Sequence, residues 1–280
     1  MSWPYHFISL SESDKLHRRE LLDLRGYYAQ WSVIIVIVAI RIFRFATRST
    51  VKRDGPVSGN PRRYLVCGLW LLWLLGLSIW NSGDGMSSSP GSFEEPANML
   101  DYLHLTKALG QVGLSQLPLQ VLMSPANISQ PAASSVLSVL TGIPQRALTP
   151  YHRLFGRVVV SLLLAHAALY TLFFVQSSHP EFGILLFKRV QDLDVQCGMA
   201  AIFSAVLLVL FVRPASQKGL QSWLVQGTIQ ERRKIFYFGH VSLVVLLCVA
   251  AYSHVKQAQK YMLQTLAASV LNWVCSWLLR

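Results

Sequence analysis

The sequence predicts an all-α polytopic membrane protein of about seven transmembrane helices. Three observations carry that reading. Hydrophobic residues make up 52% of the chain and charged residues only 14%, with a mean hydropathy of +0.40, where a soluble domain carries about 25% charged residues. Apolar runs long enough to cross a bilayer recur along the chain, separated by polar, turn-rich connections. Two of those runs hold histidine pairs at one repeated spacing. The net charge of +12 comes from Lys and Arg in short clusters beside apolar runs. That is the pattern of topology signals, without the aromatic-interleaved basic stripe of a nucleic-acid binder, so nucleic acid is excluded as a partner.

In chain order, residues 1–28 interleave Asp14, Lys15, His17, Arg18, Arg19, Glu20, Asp23 and Arg25 with Leu10, Leu16, Leu21, Leu22 and Leu24, and predict an amphipathic extramembrane segment. They lack the compact apolar stretch and small-residue site of a cleavable signal peptide, so targeting rests on the first membrane helix. That helix is expected over 28–45, with Arg41 and Arg44 near its end to snorkel. A basic linker at 47–63 belongs on the cytosolic side, and residues 29–63 form one unit of helix plus loop. The second span, 64–80, ends on Trp80 as an interfacial anchor, and the loop 81–104 has Asp84, Glu94, Glu95 and Asp101 but no Lys or Arg, which assigns it outside.

The third span, 105–123, carries Lys107, Gln111, Gln116, Pro118 and Gln120, and needs to pack inside a bundle. The connection 124–150 has room for a re-entrant or interfacial piece around 134–140. The fourth span starts at His152 and ends near 175, and a loop of mixed charge covers 176–195. The fifth, sixth and seventh spans follow at about 197–212, 235–254 and 262–279. Basic loops at 46–63, 144–153 and 213–234 put the N-terminus outside and Arg280 inside, although four Lys or Arg of the N-terminal segment run against that assignment. Cys67, Cys197, Cys248 and Cys275 sit in or beside apolar segments without CxxC spacing and read as packing residues.

His152 and His166 on the fourth span are fourteen residues apart, and so are His240 and His254 on the sixth. Fourteen residues make almost four helical turns and a rise of roughly 21 Å, so each pair shares one face at two depths. In the assigned topology both spans run from inside to outside. His152 and His240 therefore share the inner level, and His166 and His254 the outer. One metal ion cannot use all four, and zinc with two histidines would want further ligands that are not beside them. Bis-imidazole ligation of two b-type haems suits the pattern, because the porphyrin supplies the other four ligands of each iron. Gly156 and Gly239 would relieve crowding where a porphyrin approaches, or serve helix packing. Arg153 and Arg157 fall where propionates of the inner haem would point, and equally where positive-inside anchors belong. His6, His17, His104 and His179 are expected to be solvated, and the sequon at Asn127 to be unused.

The stretches LTGIPQRALTPYHRLFGR at 140–157 and RKIFYFGHVSLVVLLCVAAYSH at 233–254 resemble the transmembrane component of the ferric reductase and NADPH oxidase superfamily, closest to fungal ferric-chelate reductases. The resemblance covers about residues 64–280 and implies a six-helix haem domain preceded by one extra span. It implies that His152, His166, His240 and His254 are the axial ligands of two haems b, in a multi-pass protein of the plasma membrane or an internal membrane such as that of the vacuole. It further implies transfer of electrons from cytosolic NADPH and FAD to a ferric chelate outside. Reduction of oxygen to superoxide is the alternative, and a non-catalytic partner or accessory redox protein is another. The family's flavin and nucleotide motifs do not appear before Arg280, so the expectation is a haem-only chain served by a cytosolic flavoprotein, or a shortened version.

Overall fold

The computed structural model describes residues 12–47, 61–80, 102–125, 134–210 and 228–279. The sequon and His6 lie outside these residues. In chain order the helices are α1 (Glu12–Thr47), α2 (Pro61–Ile79), α3 (Tyr102–Ser115), α4 (Leu117–Met123), α5 (Val136–Thr141), α6 (Gln145–Gln176), α7 (Leu185–Arg189), α8 (Leu193–Leu210), α9 (Ile229–His254) and α10 (Lys256–Leu278). A minimal hairpin, β1 (Ser178–His179) with β2 (Gly183–Ile184), precedes α7 in the loop expected at 176–195.

Among the described residues, α1, α2, α6, α8 and α9 are long and apolar enough to cross a membrane. The more polar α3, continued by α4, and α10 fall where the third and seventh spans are expected, and they pack their polar residues against these helices. α3 packs against α1, α2, α6 and α10 and buries Thr106, Gly110, Gln111 and Ser115. On α10 the buried residues Ala258, Tyr261, Met262, Thr265, Ala268, Asn272 and Ser276 recur at helical spacing, giving one face to the bundle. Large apolar side chains of α1, among them Trp31, Ile35 and Phe43, point outward instead.

Several boundaries differ from expectation, each for a local reason. The segment before residue 28 and the first span are one continuous helix, and buried Arg25 and Ala29 at their junction show that it packs into the bundle there. α6 begins at Gln145, ahead of His152; Pro150 lies early in that helix and removes only a single backbone donor. The third span is split at Gln116, where Pro118 enters the first turn of α4 and the Gln116 N–H bonds Gly113 O at 3.2 Å instead of continuing the regular ladder. The piece expected around 134–140 is α5, capped by Ser135 at its start and by Gly142 (φ 69°) at its end. Its first N–H donates to Asn272 Oδ1 at 2.8 Å, while Asn272 Nδ2 donates to Val121 O and Ser124 O. At α9 a complete capping box joins Thr228 and Glu231. A single extended residue, Val255, then turns α9 into α10, which leaves His254 as the last residue of its helix.

Polar side chains fix α1 in the bundle. Asp23 pairs with Lys260 of α10 at 2.7 Å and accepts from Gln111 of α3 at 2.9 Å, and Gln111 also donates to Tyr261 Oη at 3.1 Å. Directly beside them, a Cβ on Gly26 would lie 1.8 Å from Tyr261 Oη. Gly26→Ala is therefore expected to lower the thermal unfolding midpoint of the detergent-solubilised chain, by overpacking worth about 1–3 kcal/mol. Adding Tyr261→Phe removes the nearest atom and should recover part of the loss.

Candidate functional site

The fold brings the four histidines together as two pairs. At one level His152 of α6 faces His240 of α9 with ring centroids 6.3 Å apart and planes at 63°. At the other, His166 of α6 and His254 of α9 line one cavity of about 1010 Å³. Between the levels the helices meet in apolar contacts: Val160, Ala205 and Leu247 are buried with Leu117 and Cys248 packed against them. Next to that layer Ala251, Tyr261 and Met262 are buried against Leu114 and Ala201. This apolar packing separates the two histidine pairs along α6 and α9.

Three of the four rings are oriented by a backbone carbonyl. The Nδ1 of His152 lies 3.0 Å from Gln120 O, that of His166 2.7 Å from Thr106 O, and that of His254 2.6 Å from Asp194 O. A carbonyl oxygen only accepts, so each Nδ1 carries the proton and donates it. With the proton on Nδ1, a neutral imidazole presents its lone pair at Nε2, which is the tautomer a metal ligand needs. His240 differs: its Nδ1 is buried without a hydrogen-bond partner, and its ring stacks on Phe236 at 5.3 Å.

The two outer histidines are seated by the same device. Thr106 and Asp194 each offer a helical carbonyl, and each is followed four residues later by glycine, Gly110 on α3 and Gly198 on α8. A helical side chain covers the turn N-terminal to its own Cα, so a residue at that fourth position would cover the carbonyl. Glycine uncovers it. A Cβ on Gly110 would lie 2.8 Å from His166 Nδ1, and one on Gly198 would lie 2.9 Å from His254 Cε1. These two glycines are the ones whose added Cβ would meet imidazole: one on Gly239 would meet nothing within 4 Å beyond its chain neighbours, and one on Gly156 only Gln120 Oε1, at 3.7 Å. No sequence signal marks these carbonyls, which every residue has, and only tertiary contact ties them and the glycines four residues on to histidines sixty residues away.

The cavity at the outer pair has an apolar and aromatic wall that includes Leu163, Tyr170 and Phe174, and a basic rim of Lys15, Arg18, Arg19, Lys107 and Arg189. Tyr170 meets the His166 ring edge-on at 5.1 Å. His104, expected in solvent, is a buried residue of α3 on this wall, because its loop position is in fact helical. His17 is exposed and His179 half-buried. Arg153 and Arg157 are exposed on α6. The four cysteines are unpaired thiols, Cys67 buried and the others partly so.

The residues present fit haem better than a bare metal ion. Among the described residues no three His, Cys, Asp or Glu converge on one point. Each level instead supplies two imidazoles. An imidazole nitrogen sits about 2.0–2.1 Å from a bound metal and about 1 Å from its own ring centre, so two rings on opposite sides of one ion have centroids about 6 Å apart. The inner pair is at that separation. The outer cavity lies at the upper end of the roughly 300–1,000 Å³ typical of cofactor sites.

A family model described as "Ferric reductase like transmembrane component" matches residues 109–251, just over half of the chain. The match includes His152, His166, His240, Gly110 and Gly198 and stops shortly before His254. No curated protein and no solved structure matches the chain.

Proposed function

Because the chain belongs to the ferric reductase like transmembrane component family, we propose that it carries electrons across the membrane through two b-type haems, to reduce a ferric chelate at the outer face. His152 and His240 would hold the inner haem, and His166 and His254 the outer. A haem held between two imidazoles supplies a site that takes up and gives off one electron at a time. The observation that carries the reading is the set of three Nδ1–H donations to carbonyls of Gln120, Thr106 and Asp194, which hold the rings in the ligating tautomer before anything binds.

The work of this chain is positioning and exclusion. α6 and α9 keep the two levels roughly 21 Å apart along their axes. The buried Val160, Ala205 and Leu247 between them keep out water, so the reorganisation that accompanies charge movement stays small. Arg153 and Arg157 are the proposed propionate contacts of the inner level. The electron donor in this reading is a cytosolic flavin and NADPH reductase, and the outer acceptor is ferric iron, reduced to ferrous iron for uptake. The protein would act in the plasma membrane or an internal membrane such as the vacuolar one.

A dithionite-reduced minus oxidised spectrum of the purified chain, with haem counted per polypeptide, tests the reading. Two low-spin b haems are expected; a folded chain free of haem would overturn it. Dithionite-reduced membranes should reoxidise on adding a ferric chelate with stoichiometric Fe(II). If they release superoxide in air and leave the chelate ferric, the acceptor is oxygen instead.

A further inference from the structure

A continuous line of contacts joins His166 to His254 along the wall of the cavity they share, and Arg189 is the link between its two halves. On α6, Tyr170 meets the His166 ring at 5.1 Å and packs in turn on Phe174 at 5.5 Å, one helical turn further on. The Arg189 guanidinium, at the end of α7, lies over the Phe174 ring, 5.6 Å from its centroid. Its hydrogen bonds run toward the second histidine. One terminal nitrogen donates to Asp192 and the other to Asp194 Oδ2 at 3.0 Å, and the backbone carbonyl of Asp194 takes the Nδ1–H of His254 at 2.6 Å. Only three residues separate α7 from α8, so the planar guanidinium spans the turn and holds both carboxylates at once. Asp192 is also paired with Lys188 at 3.1 Å, whereas among the described residues the ion pair of Asp194 is with Arg189. Asp194 stands in the first turn of α8, so a contact that fixes that turn fixes the carbonyl that orients His254. All six residues of this line, His166, Tyr170, Phe174, Arg189, Asp194 and His254, line the one cavity.

We propose that Arg189 is a positioning residue of this cavity: its guanidinium ties the wall that carries His166 to the turn that seats His254, and so sets the relative orientation of the two imidazoles. The inference rests on the reading of this pair as the axial ligands of a haem, and concerns how the pair is held. The fork is required as well as the charge, because lysine offers an ammonium without the planar set of donors.

The test uses the full chain in lipid nanodiscs, as wild type, R189Q, R189K, D194N, R189Q/D194N and K188Q. The low-spin ferric electron paramagnetic resonance signal of a bis-imidazole haem depends on the angle between the two ring planes, and the component missing from His166→Ala identifies this level. R189Q is expected to shift that component and leave the other unchanged. It should also weaken haem binding at this level about fivefold, the upper end of what a partly exposed ion pair contributes. D194N keeps the backbone carbonyl but loses the ion pair, so it should reproduce both effects, and the double variant should add little to either single one. R189K should recover part of the affinity and leave the signal shifted. K188Q, in which Arg189 keeps both aspartates, should match wild type. Haem at the other level reports that each variant is folded. An unchanged signal in R189Q, a shift that D194N does not share, or full rescue of the signal by lysine would each overturn the positioning role while leaving the haem reading intact. A wild type that binds no haem overturns both.

Discussion

His166→Ala is expected to leave about half of the haem of the wild type, all of it at the inner level. The expectation follows from the geometry of α6. His152 and His166 lie on one face of that helix at two levels, and each is oriented from a different element, His152 by Gln120 O of α4 and His166 by Thr106 O of α3. Buried packing around Val160 separates them. Removing one ring therefore leaves the other's partners in place. The measurement is haem per polypeptide together with the reduced-minus-oxidised spectrum, and added imidazole should restore part of the lost signal by occupying the space of the missing side chain. His152→Ala is the mirror experiment and should remove the inner component. Loss of both haems from His166→Ala, in a chain that keeps its helical circular dichroism, would mean the levels are not independent.

Gly198→Ala is expected to have an effect nearly as large without touching a ligand. Its Cβ would stand 2.9 Å from Cε1 and 3.0 Å from Nδ1 of His254, so the ring has to move off the carbonyl of Asp194. His254 is the last residue of α9, and Val255 already commits the chain to α10, which leaves little backbone freedom to follow the displaced ring. Outer haem occupancy should fall about tenfold, the order expected when a second-shell partner of a ligating histidine is lost. Gly110→Ala should do the same through His166, whose Nδ1 would be 2.8 Å from the new Cβ. Gly76→Ala on α2, whose added Cβ would meet nothing within 4 Å, is the control and should keep both haems. The contrast separates a specific seat for imidazole from general sensitivity of helix glycines.

Much of the architecture was legible along the chain because bilayer crossing is a local property. A run that is apolar enough and long enough spans wherever it falls, so α2, α6, α8 and α9 could be placed to within a few residues or a turn or two of their ends. The histidine pairs were legible for a related reason: the helix has a fixed period, so a spacing of fourteen residues is already a statement about face and depth. Less legible were the polar passes. Lys107, Gln111 and Pro118 on α3 and α4 look foreign to a membrane until α1, α2, α6 and α10 are packed around them.

What the sequence by itself determined is the class of protein, the two helices that carry the histidines, and their pairing by level, since all three depend on composition and periodicity. Tertiary structure alone decided how each ring is held. The carbonyls of Thr106 and Asp194, and the glycines one turn beyond them, come from other helices, as does the basic rim that α1 brings to the outer cavity. A backbone carbonyl has no sequence identity, and a glycine advertises only an absence. Their role exists only once a partner helix is laid against them.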